Sequence, residues 1–338
     1  MASEHRQCQK PTRELGGMFQ RLPSISVLLS VLAIVVGAGG SIGYLFLSNP
    51  YIAVYPPALF IAGCLSLYLL NTNKPSKIES LVPKSYRPYL IAAFALSFVG
   101  TSIAYLGASY DRSLLVYGFT ILAYVSGLLI ALANSRPFIQ IAPILSTGVL
   151  HRFTVFYGGP LVLGNDSIWH TRIAGEVAVS GSLAPLALEE SKYFLTSFYH
   201  ILVATGSMIM DISPRHTSFL VITVPFVIIP ALIIYSFIRR VYTPITAVFG
   251  MFLFVTVDVS VFWSVLPQAT TLGAIFGSLT IICAFRSMRS DCITLQVLTV
   301  GFFGAIVFTH HASAFIIAFL ITAAYGLSAV TERRVSVT

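Results

Sequence analysis

The chain has 338 residues, of which 56% are hydrophobic and 9% are charged, and its formal net charge is +8. Soluble domains carry roughly a quarter of charged residues, so this composition excludes an ordinary soluble protein and predicts an integral membrane protein. The basic residues stand in short clusters between apolar runs and form no long stripe, which argues against a nucleic-acid partner.

The amino-terminal segment 1–22 is polar and carries four basic residues, which predicts a cytoplasmic tail. The apolar run that follows, 24–48, is too long for the core of a signal peptide and lacks a small-residue cleavage site. We therefore interpret it as the first membrane helix.

A helix needs about 20 predominantly apolar residues to span a bilayer. The segments that meet or nearly meet this length are 24–48, 51–71, 88–108, 113–134, 217–238, 244–264, 268–286, 292–310 and 312–331. Two shorter segments, 137–151 and 194–212, are ambiguous. The expected fold class is an all-α, polytopic integral membrane protein with about ten transmembrane helices and one large external loop carrying interfacial helices.

Basic residues discriminate between the topologies, because they accumulate on the cytoplasmic side. If both ambiguous segments cross, the 20 Lys and Arg residues divide equally between the two sides. If only 137–151 crosses, 15 lie inside and five outside; if only 194–212 crosses, the division is 18 and two. Only one of the two segments is therefore expected to cross, and the distribution of basic residues slightly favours 194–212.

We nevertheless choose 137–151 as the crossing segment, because this topology alone places Asp166, His170 and His310 on the same outer side. The expected organisation is then a tail 1–22, membrane helices 23–136, a membrane domain 137–331 with external loop 152–216, and a tail 332–338. The protein is expected in the cell membrane, multi-pass, with both termini cytoplasmic.

The polar stretch 164–176 stands out in this apolar chain. Asp166 and His170 are four residues apart and share one face of a helix. Asp166 is predicted to cap that helix, and Trp169 to anchor its apolar side in the membrane interface. An acid and an imidazole there can bind a metal, hold a phosphate-linked substrate or move a proton. The pattern equally fits a capped helix with a solvated charged face.

His310 and His311 lie at the outer turn between two predicted spans. Neighbouring residues point about 100° apart on a helix, so one of the two can face a given cavity. The pair is a candidate for binding phosphate or metal opposite Asp166. The alternative is a polar turn exposed to water.

Two further charged residues are candidates for substrate binding. Asp258 falls within the predicted span 244–264, where an acid is costly and is expected to face a cavity or a partner. Lys192 can hold a phosphate as a point charge, although a solvated loop charge explains it equally. His200, on an apolar stretch, is interpreted as structural.

No nucleotide-binding glycine motif, serine–histidine triad or zinc-protease motif is present, and four cysteines without metal-ligand spacing are predicted to be free thiols. A transporter or lipid flippase is the main rival class. Transporters often carry helices interrupted near the bilayer midplane. Here the polar residues gather at one surface, which favours an enzyme acting on a lipid head group.

Three motifs together carry a resemblance: Asp166 with His170, Ile234-Tyr235 with Arg239-Arg240, and Thr309-His310-His311. Over about 137–331 the chain resembles the GT-C superfamily of membrane glycosyltransferases, which includes protein O-mannosyltransferases and oligosaccharyltransferase catalytic subunits. The closer likeness is to uncharacterised archaeal-type members.

The resemblance implies a sugar donor linked to a lipid phosphate, such as a polyprenyl or dolichyl phosphate sugar, and transfer on the extracytoplasmic face. It implies Asp166 as the base with His170 beside it, and His310 or His311, assisted by Lys192, at the phosphate leaving group. Some relatives use a divalent metal ion, for which Asp166 and His170 are the implied ligands. The expected partners are membrane lipids and the lipid-linked donor.

Departures from the family pattern keep a second alternative open. The chain has no Asp-x-Asp or Glu-x-Asp pair, lacks the proline common before the juxtamembrane segment around Tyr193-Phe194, and stops at Thr338. A fragment, a divergent member and a catalytically inactive scaffold of the same fold all fit these departures.

Overall fold

The computed structural model describes residues 82–107, 112–189, 194–288 and 292–336, together with the helical positions 31, 34, 35, 38 and 64. The chain divides into two compact units, Met1–Ile78 and Glu79–Thr338. In the first unit, the described positions agree with the helices expected over 24–48 and 51–71. The amino-terminal tail and Lys192 lie outside the described residues.

The second unit is helical throughout its described residues. After a short 3-10 turn, Lys84–Tyr86, the helices are α1 Arg87–Leu106, α2 Leu114–Leu132, α3 Pro137–Phe156, α4 Asn165–Ser180, α5 Ala184–Glu189, α6 Phe198–Met210, α7 Pro214–Ser218, α8 Val224–Val241, α9 Pro244–Thr256, α10 Asp258–Val265, α11 Ala269–Ser287, α12 Ile293–Val307 and α13 His311–Ser336. A π-helical segment, Phe219–Thr223, joins α7 to α8.

Several of these helices are suited to a membrane. Among the described residues, four helical stretches are long and apolar enough to cross: Arg87–Leu106, Leu114–Leu132, Pro214–Arg240 and Ala269–Ser287. The bent pair α9 and α10 makes a fifth if it counts as one span. These findings support an all-helical membrane protein, whereas a total of about ten spans stays a prediction.

The two ambiguous segments form helices of different length. α3 has 20 residues, but it includes Gln140, His151 and Arg152 and is not among the four apolar candidates. α6 has 13 residues, which at 1.5 Å per residue is about 20 Å, short of a hydrocarbon core about 30 Å thick. By length, α6 alone is unsuited to crossing.

The first three helices of this unit run up and down. Arg87, at the start of α1, donates a hydrogen bond to the carbonyl of Ala133 after the end of α2. Gln140, at the start of α3, accepts one from the hydroxyl of Tyr235 near the end of α8. At the other end of α3, Phe156 packs on Phe219 with ring centroids 5.2 Å apart. We call this second end, where α4, α5 and α6 also lie, the loop end.

The predicted span 244–264 is broken in the structure. Val257 is extended, with φ −65° and ψ 134°, and α9 and α10 meet at a bend of 52°. Asp258 therefore begins α10. Its negative charge interacts favourably with the unpaired backbone N–H groups of the first turn of that helix. Cys64 and Cys283 are free, as predicted.

A buried guanidinium ties α10 to the bundle. Arg152 is 0% exposed, although a buried charge is costly unless its hydrogen bonds are satisfied. Its Nε donates to Ser264 Oγ at 3.1 Å, its Nη2 to Ser260 Oγ at 3.3 Å and its Nη1 to the hydroxyl of Tyr124 at 3.2 Å. Arg152 thus links α2, α3 and α10 close to the loop end.

Arg152→Lys should lower stability markedly, because one ammonium cannot reach hydroxyls on both sides of the fork. Losing two hydrogen bonds to a charged donor corresponds to about 3 kcal/mol or more. The measurement is the thermal midpoint of the purified protein in detergent. Arg172→Lys is the matched control, since Arg172 is 48% exposed and pairs with Glu176 on the surface. Equal midpoints for the two variants would contradict this role for Arg152.

Candidate functional site

The loop between α3 and α4 is held in place by Arg215. The guanidinium donates hydrogen bonds to the carbonyls of Phe156, Gly159 and Pro160, and it lies 5.1 Å from the ring centre of Tyr157. These contacts tie the loop to the start of α7. The beginning of α4, which carries the predicted acid, is positioned by this loop.

α4 begins two residues earlier than predicted. Gly164 occupies the N-cap position with φ +82°, and a Cβ there would lie 2.9 Å from Leu266, so the position requires glycine. Asp166 falls within the first turn, and no side-chain hydrogen bond caps the helix. The predicted capping role of Asp166 is therefore wrong. Its carboxylate is exposed at the positive end of the helix dipole.

The apolar face of α4 packs on protein. Ile173 and Val177 are buried in a cluster with Leu186 of α5 and Ala204 of α6, and Trp169 packs against that cluster half-buried. Only Ile168 of the predicted apolar side is exposed. The picture of a helix that uses this whole side to lie in the interface is therefore wrong.

This packing brings together two histidines that are 30 residues apart in sequence. Nδ1 of His170 lies 3.0 Å from Nε2 of His200, and the rings are 5% and 0% exposed. The rings of Trp169 and Tyr199 flank the pair, with centroids 5.0 Å and 5.3 Å from His170. Tyr199 donates its hydroxyl to the carbonyl of Pro267 at 2.8 Å, which attaches α6 to the start of α11.

Burial keeps both imidazoles neutral. Desolvation lowers the pKa of His170 from 6.5 to about 4, opposed by the charge of Asp166 and reinforced by His310. Desolvation, reinforced by His170, lowers the pKa of His200 to about 3. A neutral imidazole carries one N–H donor and one lone pair, so the contact between the rings is a hydrogen bond from one to the other.

His310 caps α13. Its Nδ1 accepts the backbone N–H of Ser313 at 3.2 Å and lies 2.8 Å from Ser313 Oγ, and its Nε2 lies 3.3 Å from Thr270 Oγ1. Because a backbone N–H can only donate, Nδ1 holds the lone pair and the proton of the neutral ring is on Nε2. Burial, reinforced by His311, lowers the pKa of His310.

The turn before α13 sits against two other helices. A Cβ on Gly273 of α11 would meet Ser313 Oγ at 3.0 Å and His310 Cβ at 3.3 Å. The amide of Phe198, the first residue of α6, donates to the carbonyl of Phe308 at 3.1 Å. His310 therefore lies where α6, α11 and α13 meet.

Three of the predicted site residues share this region. Asp166 and His310 are both close enough to His170 for their charges to affect its pKa in opposite directions. His311 is exposed beside His310, with ring centroids 5.8 Å apart, so one of the two faces inward as expected. We call Asp166, His170, His200 and His310 the loop-end cluster.

Asp258 does not join this cluster in the described structure. Asp258 is exposed at the start of α10, so the expectation that it faces the protein interior is wrong. Lys192 lies outside the described residues. The remaining predictions for these two side chains stay predictions.

A divalent metal ion would find few protein ligands here. Among the residues that the structure describes, no group of three or more His, Cys, Asp or Glu side chains is arranged to hold one. Nδ1 of His170 is engaged with His200. An ion at Asp166 and His170 would have to take further ligands from water or substrate.

His200 is the functional candidate that the sequence did not reveal. It lies in an apolar helix, and no sequence spacing connects it to His170. The one available signal is a histidine between a tyrosine and an isoleucine in a stretch of hydroxyl-bearing residues. Thr270 and Arg152 were missed in the same way, because their partners are distant in the chain.

No family model, no curated protein and no solved structure matches this chain. The resemblance to GT-C glycosyltransferases therefore rests on the sequence motifs and enters as a proposal.

Gly273→Ala should displace His310, since the added Cβ would lie 3.0–3.3 Å from Ser313 and His310. We expect a lower thermal midpoint and reduced function of the site. Gly304→Ala on α12 is the matched control, because nothing lies within 4 Å of a Cβ there. In a helix the control should be neutral or gain about 0.5–1 kcal/mol. If Gly273→Ala behaves like Gly304→Ala, the turn is not closely packed.

The loop-end cluster should make the protein acid-sensitive. The folded-state pKa values of His170 and His200 lie below the usual 6.5, so the unfolded chain binds more protons at acid pH. The stability from these neutral rings is present above pH 6.5 and is lost as the pH falls toward about 4 and 3. Thermal midpoints of wild type and His200→Phe between pH 7 and 4 test this. The variant should lose less stability over that range, and an equal loss would contradict it.

Proposed function

We propose that the chain is a membrane enzyme that transfers a sugar from a lipid-phosphate-linked donor, as the GT-C resemblance implies. One observation carries the proposal: the exposed carboxylate of Asp166 lies in the same region as the buried imidazole of His170 and the half-buried imidazole of His310. These groups come from elements far apart in the sequence, which favours a functional site over a solvated helix face.

In this mechanism Asp166 is the general base. Its carboxylate is exposed and therefore within reach of an acceptor. It takes the proton of the acceptor hydroxyl while the acceptor oxygen bonds to the anomeric carbon. The bond from that carbon to the phosphate oxygen breaks, and the lipid phosphate leaves with the electron pair.

His310 is suited to the leaving phosphate. Its Nδ1 is occupied by Ser313, which leaves the proton on Nε2, the atom 3.3 Å from the hydroxyl of Thr270. An anionic phosphate beside Nε2 can accept that N–H. His311 and Lys192 are proposed helpers at the membrane surface.

The proposal includes a topology in which the loop end is extracytoplasmic. α3 crosses the membrane, α6 does not, and both termini are cytoplasmic. The shortness of α6, about 20 Å, supports this arrangement. The placement of Arg239, Arg240 and Arg286 at the end opposite the loop end agrees with the positive-inside rule.

Transport is the second candidate, and the broken pair α9 and α10 is the observation that favours it. Interrupted helices recur at the binding sites of secondary transporters. The acid at this break, Asp258, is exposed on the protein surface. Asp258→Asn in proteoliposomes separates the two functions, since it should abolish transport and leave sugar transfer intact.

Asp166→Asn should slow sugar transfer about 10²–10⁴-fold, the usual contribution of a general base. Stability should change little, because Asp166 makes no cap hydrogen bond and its dipole interaction amounts to about 0.3–1 kcal/mol. Activity and thermal midpoint are measured for wild type, Asp166→Asn and Glu176→Gln, a control on the same helix. Activity of Asp166→Asn within a few-fold of an active wild type would rule out the base. A wild type that transfers no sugar from any lipid-phosphate donor would contradict the proposed function.

Cysteine labelling tests the topology. Ser182→Cys, in the exposed turn between α4 and α5, should react with an impermeant reagent added outside intact cells, in a cysteine-free background. Ser135→Cys, in the exposed turn between α2 and α3, is the matched control and should react only after the membrane is opened. The reverse pattern would place the loop end in the cytoplasm.

A further inference from the structure

The contact between His170 and His200 is the most buried polar contact in the loop-end cluster. The two ring nitrogens lie 3.0 Å apart, and the rings are tilted by 43° with centroids 5.0 Å apart. Trp169 also lies beside His200, with ring centroids 5.9 Å apart. Packing on several sides leaves the rings little freedom to rotate.

The chemistry of two neutral rings makes this contact informative. If Nδ1 of His170 donates to His200, the lone pair of His170 is on Nε2; if Nδ1 accepts, the proton is on Nε2. The second nitrogen of His170 is therefore a base in one case and a donor in the other. The state of His200 selects between them.

We propose that His200 is a positioning residue for His170: its Nε2 fixes the tautomer and the ring angle of the histidine beside Asp166. The consequence for sugar transfer rests on the proposed function, whereas the effect on the tautomer does not. His200 acts through His170 and takes no part in bond making.

α6 is anchored well enough to serve this purpose. Tyr199 attaches it to the carbonyl of Pro267, and Phe198 attaches it to the carbonyl of Phe308, two residues before His310. The helix that carries His200 is therefore hydrogen-bonded directly to the turn that carries His310. The contact with His200 relates the position of His170 to that of the proposed phosphate-binding ring.

The titratable groups that face the pair come from three elements. Asp166 on α4 raises the pKa of His170, while His310 before α13 lowers it. Tyr199 on α6 stays protonated, because burial raises the pKa of its phenol. The lowered pKa values of His170 and His200 agree with a pair that stays neutral from pH 5 to 8.

The test is ¹⁵N NMR of histidine-labelled protein in nanodiscs, which reports the tautomer of each ring. In wild type, His170 should show one neutral tautomer between about pH 5 and 8. His200→Phe keeps the ring volume without a partner atom and should give His170 mixed tautomers. His200→Gln, whose amide reaches toward the position of Nε2, should restore one form. Tyr199→Phe is the structural control, since it loosens the attachment of α6 to Pro267 but keeps the bonding partner of Nδ1, and it should change the tautomer far less than His200→Phe.

Two results would overturn the proposal: an unchanged His170 tautomer in His200→Phe, or an equal change in Tyr199→Phe. Sugar transfer is measured in parallel. His200→Phe should lower kcat about 10–100-fold with little change in KM, the effect typical of an orienting partner, and His200→Gln should recover most of it. If wild type transfers no sugar, the proposed function fails, and the NMR result decides the role of His200 by itself.

Discussion

Buried polar groups in an apolar protein have to find their partners inside the protein, and this constraint shapes the loop end. A polar atom without a partner costs several kcal/mol in hydrocarbon. The guanidinium of Arg152 is surrounded by hydroxyls of α2 and α10, and that of Arg215 by carbonyls of the α3–α4 loop. Nδ1 of His170 and Nε2 of His200 bond to each other, and the ring nitrogens of His310 bond to Ser313 and Thr270.

The same constraint divides the cluster into two chemical roles. The imidazoles of His170 and His200 are buried and that of His310 is half-buried, and burial lowers the pKa of all three. As neutral rings they are suited to donate or accept single hydrogen bonds. Asp166 is exposed and has no capping bond to hold it, so it is suited to meet a substrate. A residue that only capped a helix would not need neutral imidazoles near it. The combination of the exposed Asp166 with the three imidazoles of the loop-end cluster therefore favours a functional site.

Much of the architecture followed from composition, because apolar length determines which segments can form membrane helices. Helical periodicity also predicted that Asp166 and His170 lie one turn apart on the same helix. It predicted in the same way that only one of His310 and His311 faces inward. The features that were missed depend on backbone conformation or on distant partners. Gly164 begins α4 through a positive φ, which moves Asp166 from the cap into the first turn. Val257 breaks a predicted span that contains no proline or glycine at that point.

The pairing of His170 with His200 was beyond sequence reasoning for a similar reason. From the sequence, His170 is interpreted as a site residue and His200 as a structural one. Hydrophobic periodicity relates residues only within a few turns of one helix, so it cannot pair side chains on different helices. Thirty residues, with helix α5 among them, separate the two histidines. Arg152 illustrates the same limit, since its hydroxyl partners on α10 lie more than 100 residues away.

The most direct measurement of the central claim is an experimental structure of the protein in nanodiscs with a lipid-phosphate-linked sugar bound. The account predicts the phosphate within hydrogen-bonding distance of Nε2 of His310, with the sugar directed toward the carboxylate of Asp166. A ligand bound elsewhere, such as beside Asp258 at the break between α9 and α10, would contradict it.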